Sequence, residues 1–200
     1  GSRYRYALHP DYKAGRNERP AVLDVQLPLV KEIVQFQGWN PVEVPGAEAD
    51  DVLATLATRA RSMGFEKTVI ISPDKDLLQL VDDSRGISVL AQRERSWIPT
   101  DAEGVRLRLG VAPHQVVDYL TLVGDSSDNV PGVPGIGEKG AAGLLERYGT
   151  LDGVIAHLKD LKKTYREGIE AALGQIPLSK RLVTVIRNLD MPFPETRIKD

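Results

Sequence analysis

Signals for β-strands stop at about residue 112 of this 200-residue chain, while signals for helices continue towards its end. Before that point strands and helices alternate, the pattern of a sheet with helices on its faces. Val69-Ile70-Ile71 is a continuous apolar run, which predicts a strand buried on both faces. Residues 42–44 are a short strand candidate, and 87–90 with 95–98 read as a hairpin. Helices are expected over 22–37, with Leu23, Leu27, Val30 and Val34 at helical spacing and Gly38 as the stop. Others are expected over 48–63, ended by Gly64, over 77–81, and over 101–109, with Thr100 as cap and Glu103 completing a capping box. Beyond 112 the expected helices are 113–123, 138–148, 151–158, 165–173 and 179–188, and the last ten residues read as an extended tail. The chain is therefore read as an α/β region, 1–111, followed by an all-α region, 112–200.

Two hundred residues suffice for one large domain or two small ones with a real core. No apolar run is long enough for a membrane helix, and no secretory signal is visible. The absence of cysteine excludes disulfides, thiolate zinc sites and thiol catalysis, which fits an intracellular protein. The net charge of −2 is unevenly spread. Arg3, Arg5, Lys13, Arg16 and Arg19 crowd the first nineteen residues, and Lys159, Lys162, Lys163 and Arg166 form a second basic stretch. Local patches of this kind, not the total, carry phosphate contacts. The first stretch interleaves Tyr4, Tyr6 and Tyr12, so it reads either as a single-strand-binding segment or as a solvated tail. Trp39 and Trp97 are expected to pack, not to stack on a ligand.

Carboxylates come in three short runs beside element ends: Glu48, Asp50 and Asp51; Asp74 and Asp76; Asp125 and Asp128. Each run has an ordinary explanation. Acids are favoured at helix N-termini, Asp76 can cap a helix, and the Asp125 segment has turn composition. Their combination favours a cation site instead, and oxygen donors alone suit Mg2+ or Mn2+ over zinc. Two such ions about 4 Å apart can activate a water and stabilise a leaving oxygen in phosphoryl displacement. Asp74 and Asp76 follow the Val69-Ile70-Ile71 strand, where ligands of open α/β sheets bind.

Gly132 to Gly137 matches the glycine spacing of a Walker A loop, but Glu138 stands where lysine is required. The better match is a helix–hairpin–helix opening a helix at about 138. Gly132, Val133, Gly135, Ile136, Gly137 and Lys139 would then present backbone N–H groups to a phosphate without reading bases. A plain glycine turn is the simpler alternative.

With these residues assembled, the chain resembles the 5′-nuclease domain of bacterial DNA polymerase I, a relative of flap endonucleases. The resemblance rests on Gly46-Ala47-Glu48-Ala49-Asp50-Asp51, on Pro73-Asp74-Lys75-Asp76, and on the run from Gly124 through Asp125, Asp128 and Gly132 to Lys139. Tyr12-Lys13-Ala14-Gly15-Arg16 is similar to the base of that family's helical arch. The resemblance implies a PIN-like sheet with flanking helices and a C-terminal helix–hairpin–helix module. It implies 5′→3′ exonuclease and flap endonuclease activity on DNA in replication and repair, with Mg2+ or Mn2+. Glu48, Asp50, Asp51, Asp74 and Asp76 would serve one metal position and Asp125 with Asp128 the other. Lys13 and Arg16 would hold the scissile phosphate or the threaded 5′ strand. The helix–hairpin–helix would grip a nicked or flapped duplex regardless of sequence, with K+ on loop carbonyls. A monomeric, cytoplasmic, nucleoid-associated bacterial protein is expected.

Family members begin with a strand carrying one more metal-binding aspartate and carry another just before the segment matching Gly1. The chain is therefore expected to be a piece truncated at its front, lacking the first strand. Such a site would bind metals more weakly and cut slowly or not at all, and the α/β half would be the less stable one. The rival expectation is a non-catalytic, duplex-binding helix–hairpin–helix fragment. A PIN-type ribonuclease would share the acids but leave the glycine loop unexplained.

Overall fold

The computed structural model describes residues 2–93 and 96–191. The expected C-terminal tail, apart from Met191, and Arg95 of the expected hairpin lie outside the described residues. The chain opens with a short helix, α1 (Arg3–Leu8), whose first turn is closed by the Arg5 amide donating to Ser2 Oγ at 3.1 Å. α2 (Ala21–Phe36) follows, and then α3 (Ala49–Ala60), which ends through a 3-10 turn at Gly64 with φ 93°. Residues 42–44 form no strand among the described residues, because no neighbouring backbone pairs with them.

Among the described residues three strands make one sheet in the order β1-β2-β3. β1 (Thr68–Ile71) runs parallel to β2 (Ile87–Arg93), with Ile70 opposite Val89. β2 runs antiparallel to β3 (Ser96–Thr100), with Leu90 opposite Pro99. The expectation that β1 is buried on both faces is not met. Ile70 is buried, but Val69 and Ile71 are 55% and 63% exposed. The reason is pairing: β1 has a ladder on one side only among the described residues, so its outer edge and alternate side chains stay open. α2 is similarly uncovered. Leu23, Leu27 and Val30 do fall on one face, yet no residue of this helix is buried. Trp39 and Trp97 are 70% and 55% exposed, so they are not packing residues here.

Thr100 does not cap the next helix, because its backbone belongs to the β3 ladder. Asp101 does so, accepting the Gly104 amide at 2.8 Å, and α4 runs from Ala102 to Leu109. A 3-10 turn, Pro113–Gln115, leads into α5 (Val116–Val123). α6 (Glu138–Tyr148), α7 (Leu151–Ala156), α8 (Lys163–Ala172) and α9 (Ile176–Val183) complete the helical part. α5 is the central element. It packs against α6 and α9 on its own side and against the 3-10 turn Asp76–Leu80 on the other. Val116, Leu120 and Leu122 join Leu77, Leu78 and Val89 in one buried apolar cluster, so the core runs unbroken across residue 111.

The last helix stops at Val183, five residues before its expected end, because the following backbone is used elsewhere. Gln79 Nε2 donates to the Val183 carbonyl at 2.9 Å and its Oε1 accepts the Val185 amide at 3.1 Å. Thr55 Oγ1 accepts the Leu189 amide, and Arg59 donates to the carbonyls of Leu189 and Met191 at 2.7 and 2.9 Å. Residues 184–191 thus strap the end of the helical part across α3.

Candidate active site

Three chain segments carry the acids. Glu48 stands at the N-cap of α3, with Asp50 and Asp51 in its first turn. Asp74 and Asp76 sit in the loop leaving the carboxyl end of β1, where the Asp76 amide donates to Asp74 Oδ1 at 2.9 Å. Asp125 and Asp128 occupy a loop pinched shut by the Asp125 amide donating to the Val130 carbonyl at 2.9 Å and the reverse bond at 2.8 Å. Two glycines permit that pinch. A Cβ on Gly132 would lie 2.2 Å from the Val123 carbonyl oxygen, and one on Gly124 would lie 2.4 Å from the Gly132 nitrogen.

Asp74, Asp76, Asp125 and Asp128 line a single cleft of about 300 Å³ together with Arg16. Tyr12 joins Glu48 to this group. Its ring is buried, and its hydroxyl lies 3.1 Å from Glu48 Oε2 and 2.9 Å from Asp128 Oδ2, where it donates. Burial first, then the charges of Glu48 and Asp128, push the Tyr12 phenol well above its ordinary range, so it stays a donor.

Charges in the cleft are imperfectly compensated. Asp50 is pushed up to about 6 by burial and by the neighbouring Asp74 and Glu48 carboxylates. Asp76 is pushed up to about 7 by burial, then by Asp74 and Asp125. Its Oδ1 is buried and has no hydrogen-bond partner. A buried carboxylate oxygen set among other carboxylates is costly unless a cation meets it. The chemistry of the donor set therefore fits a hard divalent ion.

Three side-chain cations already meet part of this charge. Lys13 bonds Glu48 and lies 3.5 Å from Asp128 Oδ2. Arg16 bonds Asp128, and Lys75 lies 3.1 Å from Asp125. Burial alone would raise Asp125, but hydrogen bonds from Ser127 and Lys75 hold it below its ordinary value. As these side chains stand, no group of three or more acidic or histidine residues among the described residues is drawn together closely enough to hold a metal ion. Lys13 adopts φ 60° and Asn129 φ 54°, the two non-glycine residues with left-handed backbone among the described residues. They are linked: the Lys13 amide donates to the Asp128 carbonyl at 3.0 Å and Asn129 Nδ2 to the Asp11 carbonyl at 2.8 Å. Strained backbone held this tightly clusters at functional sites.

Asp51 stands apart from the other acids. It is fully buried, and Arg5 grips both its oxygens, at 2.7 and 2.9 Å. The Ile186 amide adds a bond at 2.9 Å. Burial alone would raise Asp51, but the Arg5 hydrogen bond and the Ile186 amide outweigh it and hold the group low. Its remaining bond, from the Glu48 amide at 3.3 Å, closes the α3 capping box.

The glycine loop leads into α6. Val133 and Ile136 are buried anchors, and the Val133 amide donates to the Leu122 carbonyl at 2.8 Å. Gly135, with φ 79°, turns the loop, while Gly137, Glu138 and Lys139 are exposed at the helix start. α8 comes very close behind: a Cβ on Gly168 would lie 2.0 Å from the Pro134 carbonyl oxygen. The loop is thus closely packed behind and exposed at the first turn of α6, where helix N–H groups lack intrahelical partners.

The basic N-terminal stretch is not a solvated tail, since Ser2, Arg5 and Tyr12 are buried in it. Sequence reasoning missed Arg5 and Tyr12 as parts of the acidic centre, and Lys75 as the partner of Asp125. The quoted Tyr12-Lys13 and Asp74-Lys75-Asp76 runs contained two of them. Nothing in the local pattern marked Arg5.

Residues 1–110 match the family profile described as 5′-3′ exonuclease, N-terminal resolvase-like domain, and residues 111–199 that of 5′-3′ exonuclease, C-terminal SAM fold. A 5′-3′ exonuclease of Aquifex aeolicus is 40% identical over 195 residues, covering 98% of this chain and 65% of that protein. A thermostable DNA polymerase I of Thermus thermophilus is 42% identical over 95% of this chain but only 22% of its own length. The chain thus spans less than two thirds of these relatives. Among solved structures, T5 5′-exonuclease with bound zinc superposes with a TM-score of 0.77 at 23% identity, over 92% of this chain and 70% of that one. The catalytic core of Rad2 in complex with DNA substrate gives 0.59 at 16% identity, over 92% and 61%. These two likenesses show the fold: a small mixed sheet with flanking helices, followed by a helical module.

Proposed function

The chain belongs to the 5′-3′ exonuclease family, and on that premise we propose that it forms the acidic centre and duplex grip of a metal-dependent DNA 5′-nuclease. The observation that carries this is Asp76: a buried carboxylate with an unpartnered oxygen, among Asp74, Asp125 and Asp128. Asp50, Asp74, Asp76, Asp125, Asp128 and Glu48 would hold Mg2+ or Mn2+. Bound there, such ions supply charge for a water attacking a phosphodiester and for the oxygen that leaves.

The chain's own residues do the rest. Lys13 and Arg16, now paired with Glu48 and Asp128, can swing to a phosphate once cations take over those carboxylates. Tyr12 keeps Glu48 and Asp128 in register, donating to Asp128 while its oxygen lies 3.1 Å from Glu48. Asp51, closed off by Arg5, positions the start of α3 instead of ligating. The exposed amides from Gly137 to Lys139 hold a backbone phosphate of the duplex, without reading sequence. Pro131 and Gly132 carbonyls already accept from Ser179 and Gln175, so K+ in this loop would use other carbonyls. In this reading 1–111 carries Glu48, Asp50, Asp74 and Asp76, and 112–200 carries Asp125, Asp128 and the grip, in a monomer acting on nicked or 5′-flap DNA in a bacterial cytoplasm. No described helix is long and apolar enough to cross a membrane.

The test pairs two measurements on wild type and Asp125→Ala: Mn2+ binding by calorimetry, and binding of a nicked duplex by fluorescence anisotropy. The substitution is expected to weaken Mn2+ about tenfold or more while duplex affinity holds or rises. Wild-type protein with no saturable Mn2+ binding, but normal duplex binding, would establish the non-catalytic helix–hairpin–helix reading instead. Slow, Mn2+-dependent cutting of a 5′-flap by wild type, absent in Asp125→Ala, is the expected activity.

A further inference from the structure

The two oxygens of Asp125 have different work. Oδ1 is taken up by its own loop, accepting from the Ser127 amide at 2.8 Å, the Ser127 hydroxyl at 2.6 Å and the Asp128 amide at 3.3 Å. Those bonds use up its lone pairs. Oδ2 is the oxygen left for a cation, and the Lys75 ammonium already stands 3.1 Å from it. Two cations crowded onto one carboxylate oxygen repel each other, so a divalent ion at Oδ2 works against Lys75.

Lys75 has a fixed root and a movable head. It opens the 3-10 turn Asp76–Leu80, where its carbonyl accepts the Leu78 amide at 3.1 Å and where Leu77 and Leu78 are fully buried. Its side chain is 38% exposed, and it lines the cleft together with Asp74, Asp76, Asp125, Asp128 and Arg16. The head reaches past its sequence neighbours Asp74 and Asp76 to the loop after α5. A lysine head on a flexible four-carbon stem changes place easily while its backbone stays still.

We propose that Lys75 is a substrate-contacting residue of the acidic centre. Without metal it neutralises Asp125. It gives up Oδ2 when a divalent ion binds there, and then holds a phosphate of the strand being cut, beside Lys13 and Arg16. The inference rests on the nuclease reading of the cleft.

Lys75→Met, Lys75→Arg and, as a charge control, Lys67→Met test it; Lys67 is an exposed lysine just before β1. By calorimetry Lys75→Met should bind Mn2+ about tenfold more tightly than wild type, because the competing charge is gone. Lys75→Arg and Lys67→Met should stay within about threefold. Binding of a 5′-flap DNA is then followed by fluorescence anisotropy with saturating Ca2+, another hard ion that takes oxygen ligands. Here Lys75→Met should lose about tenfold in affinity, with Lys75→Arg close to wild type. Tighter ion binding with weaker DNA binding, from one substitution, is a pair of shifts that a merely structural lysine would not give. Unchanged or weaker Mn2+ binding by folded Lys75→Met, or unchanged flap affinity, would overturn the proposal and leave the metal site standing. No saturable Mn2+ binding in wild type or any variant would sink the nuclease reading, and this inference with it. Should Lys75→Met fail to fold, the Lys75 13Cε signal of wild type decides, assigned by its loss in Lys75→Arg. It should move as Mg2+ saturates the protein, and a signal that stays still would overturn the proposal.

Discussion

Asp76 and Arg5 are two charged residues that the fold treats in opposite ways. Asp76 is held near 7, far above its ordinary 3.8, because burial and Asp74 disfavour its charge. The native state then keeps a proton that the unfolded chain releases. Stability therefore falls as pH rises from about 4 to about 7 and stays low above that, with the metal-free protein. Asp51 and Asp125 act the other way, since their native values are depressed, and their contribution is lost as pH falls below the ordinary range. Urea unfolding in EDTA at pH 4 and pH 8 brackets Asp76, and comparison with Asp76→Asn separates it from Asp50, which is raised in the same window. Asp76→Asn should match wild type at pH 4 and exceed it by more than about 1 kcal/mol at pH 8; a gap independent of pH would refute the burial account. For Arg5 the expectation is loss. Arg5→Ala leaves Asp51 buried without its cation, and breaking a buried pair typically costs about 3–5 kcal/mol. Arg16→Ala, at a half-exposed pair, should cost under about 1 kcal/mol. Equal unfolding midpoints for the two variants would show that the Arg5 pair is not structural.

Among elements, the pinched loop between α5 and α6 is where backbone geometry matters most. Gly132→Ala pushes a Cβ to 2.2 Å from the Val123 carbonyl, and backbone cannot yield as a side chain would. Its expected cost is above about 4 kcal/mol, whereas Gly137→Ala, with open space around it, should stay within about 0.5 kcal/mol. Comparable urea midpoints would mean that the loop relaxes freely. This loop and the acid-bearing turns were legible in the sequence because their signals are local: glycine spacing, acids beside an element end, an apolar strand before a turn. α6 begins and ends where its pattern placed it. What escaped the sequence depends on partners distant along the chain. The one-sided burial of β1 follows from its single ladder, the early end of α9 from Gln79 and Thr55, and the roles of Arg5 and Tyr12 from Asp51, Glu48 and Asp128. Asp101, not Thr100, caps α4 for the same reason: the β3 ladder claims Thr100.

At the scale of the whole molecule, apolar surface is distributed unequally. Around α5, side chains from α6, α7, α8 and α9 close a core in which Leu120, Leu145, Leu151 and Ile169 are essentially inaccessible. On the other side, α2 leaves Val25, Leu29 and Ile33 exposed, and β1 leaves Val69 and Ile71 exposed beside a groove of about 340 Å³ lined by Leu53 and Leu56 of α3. Opening free energies follow buried contacts, so the amides of α2 and the outer edge of β1 should exchange through local opening. Those of α5 and α6 should require global unfolding. The strap 184–191 couples α3 to the helical part through Thr55 and Arg59, so α3 should be protected nearly as well as α9. Native-state hydrogen exchange in EDTA should therefore rank protection as α5 and α6 first, α3 close behind, and β1 and α2 last. The gap between first and last should be at least about 100-fold, or roughly 3 kcal/mol. Equal protection of α2 and α5 would show that α2 has a partner surface on this chain. Mn2+ adds a second check, because a ligand that binds only the folded site stabilises by mass action. It should slow exchange in α3 and the loop after β1, where the acids sit, and leave α2 as fast as before.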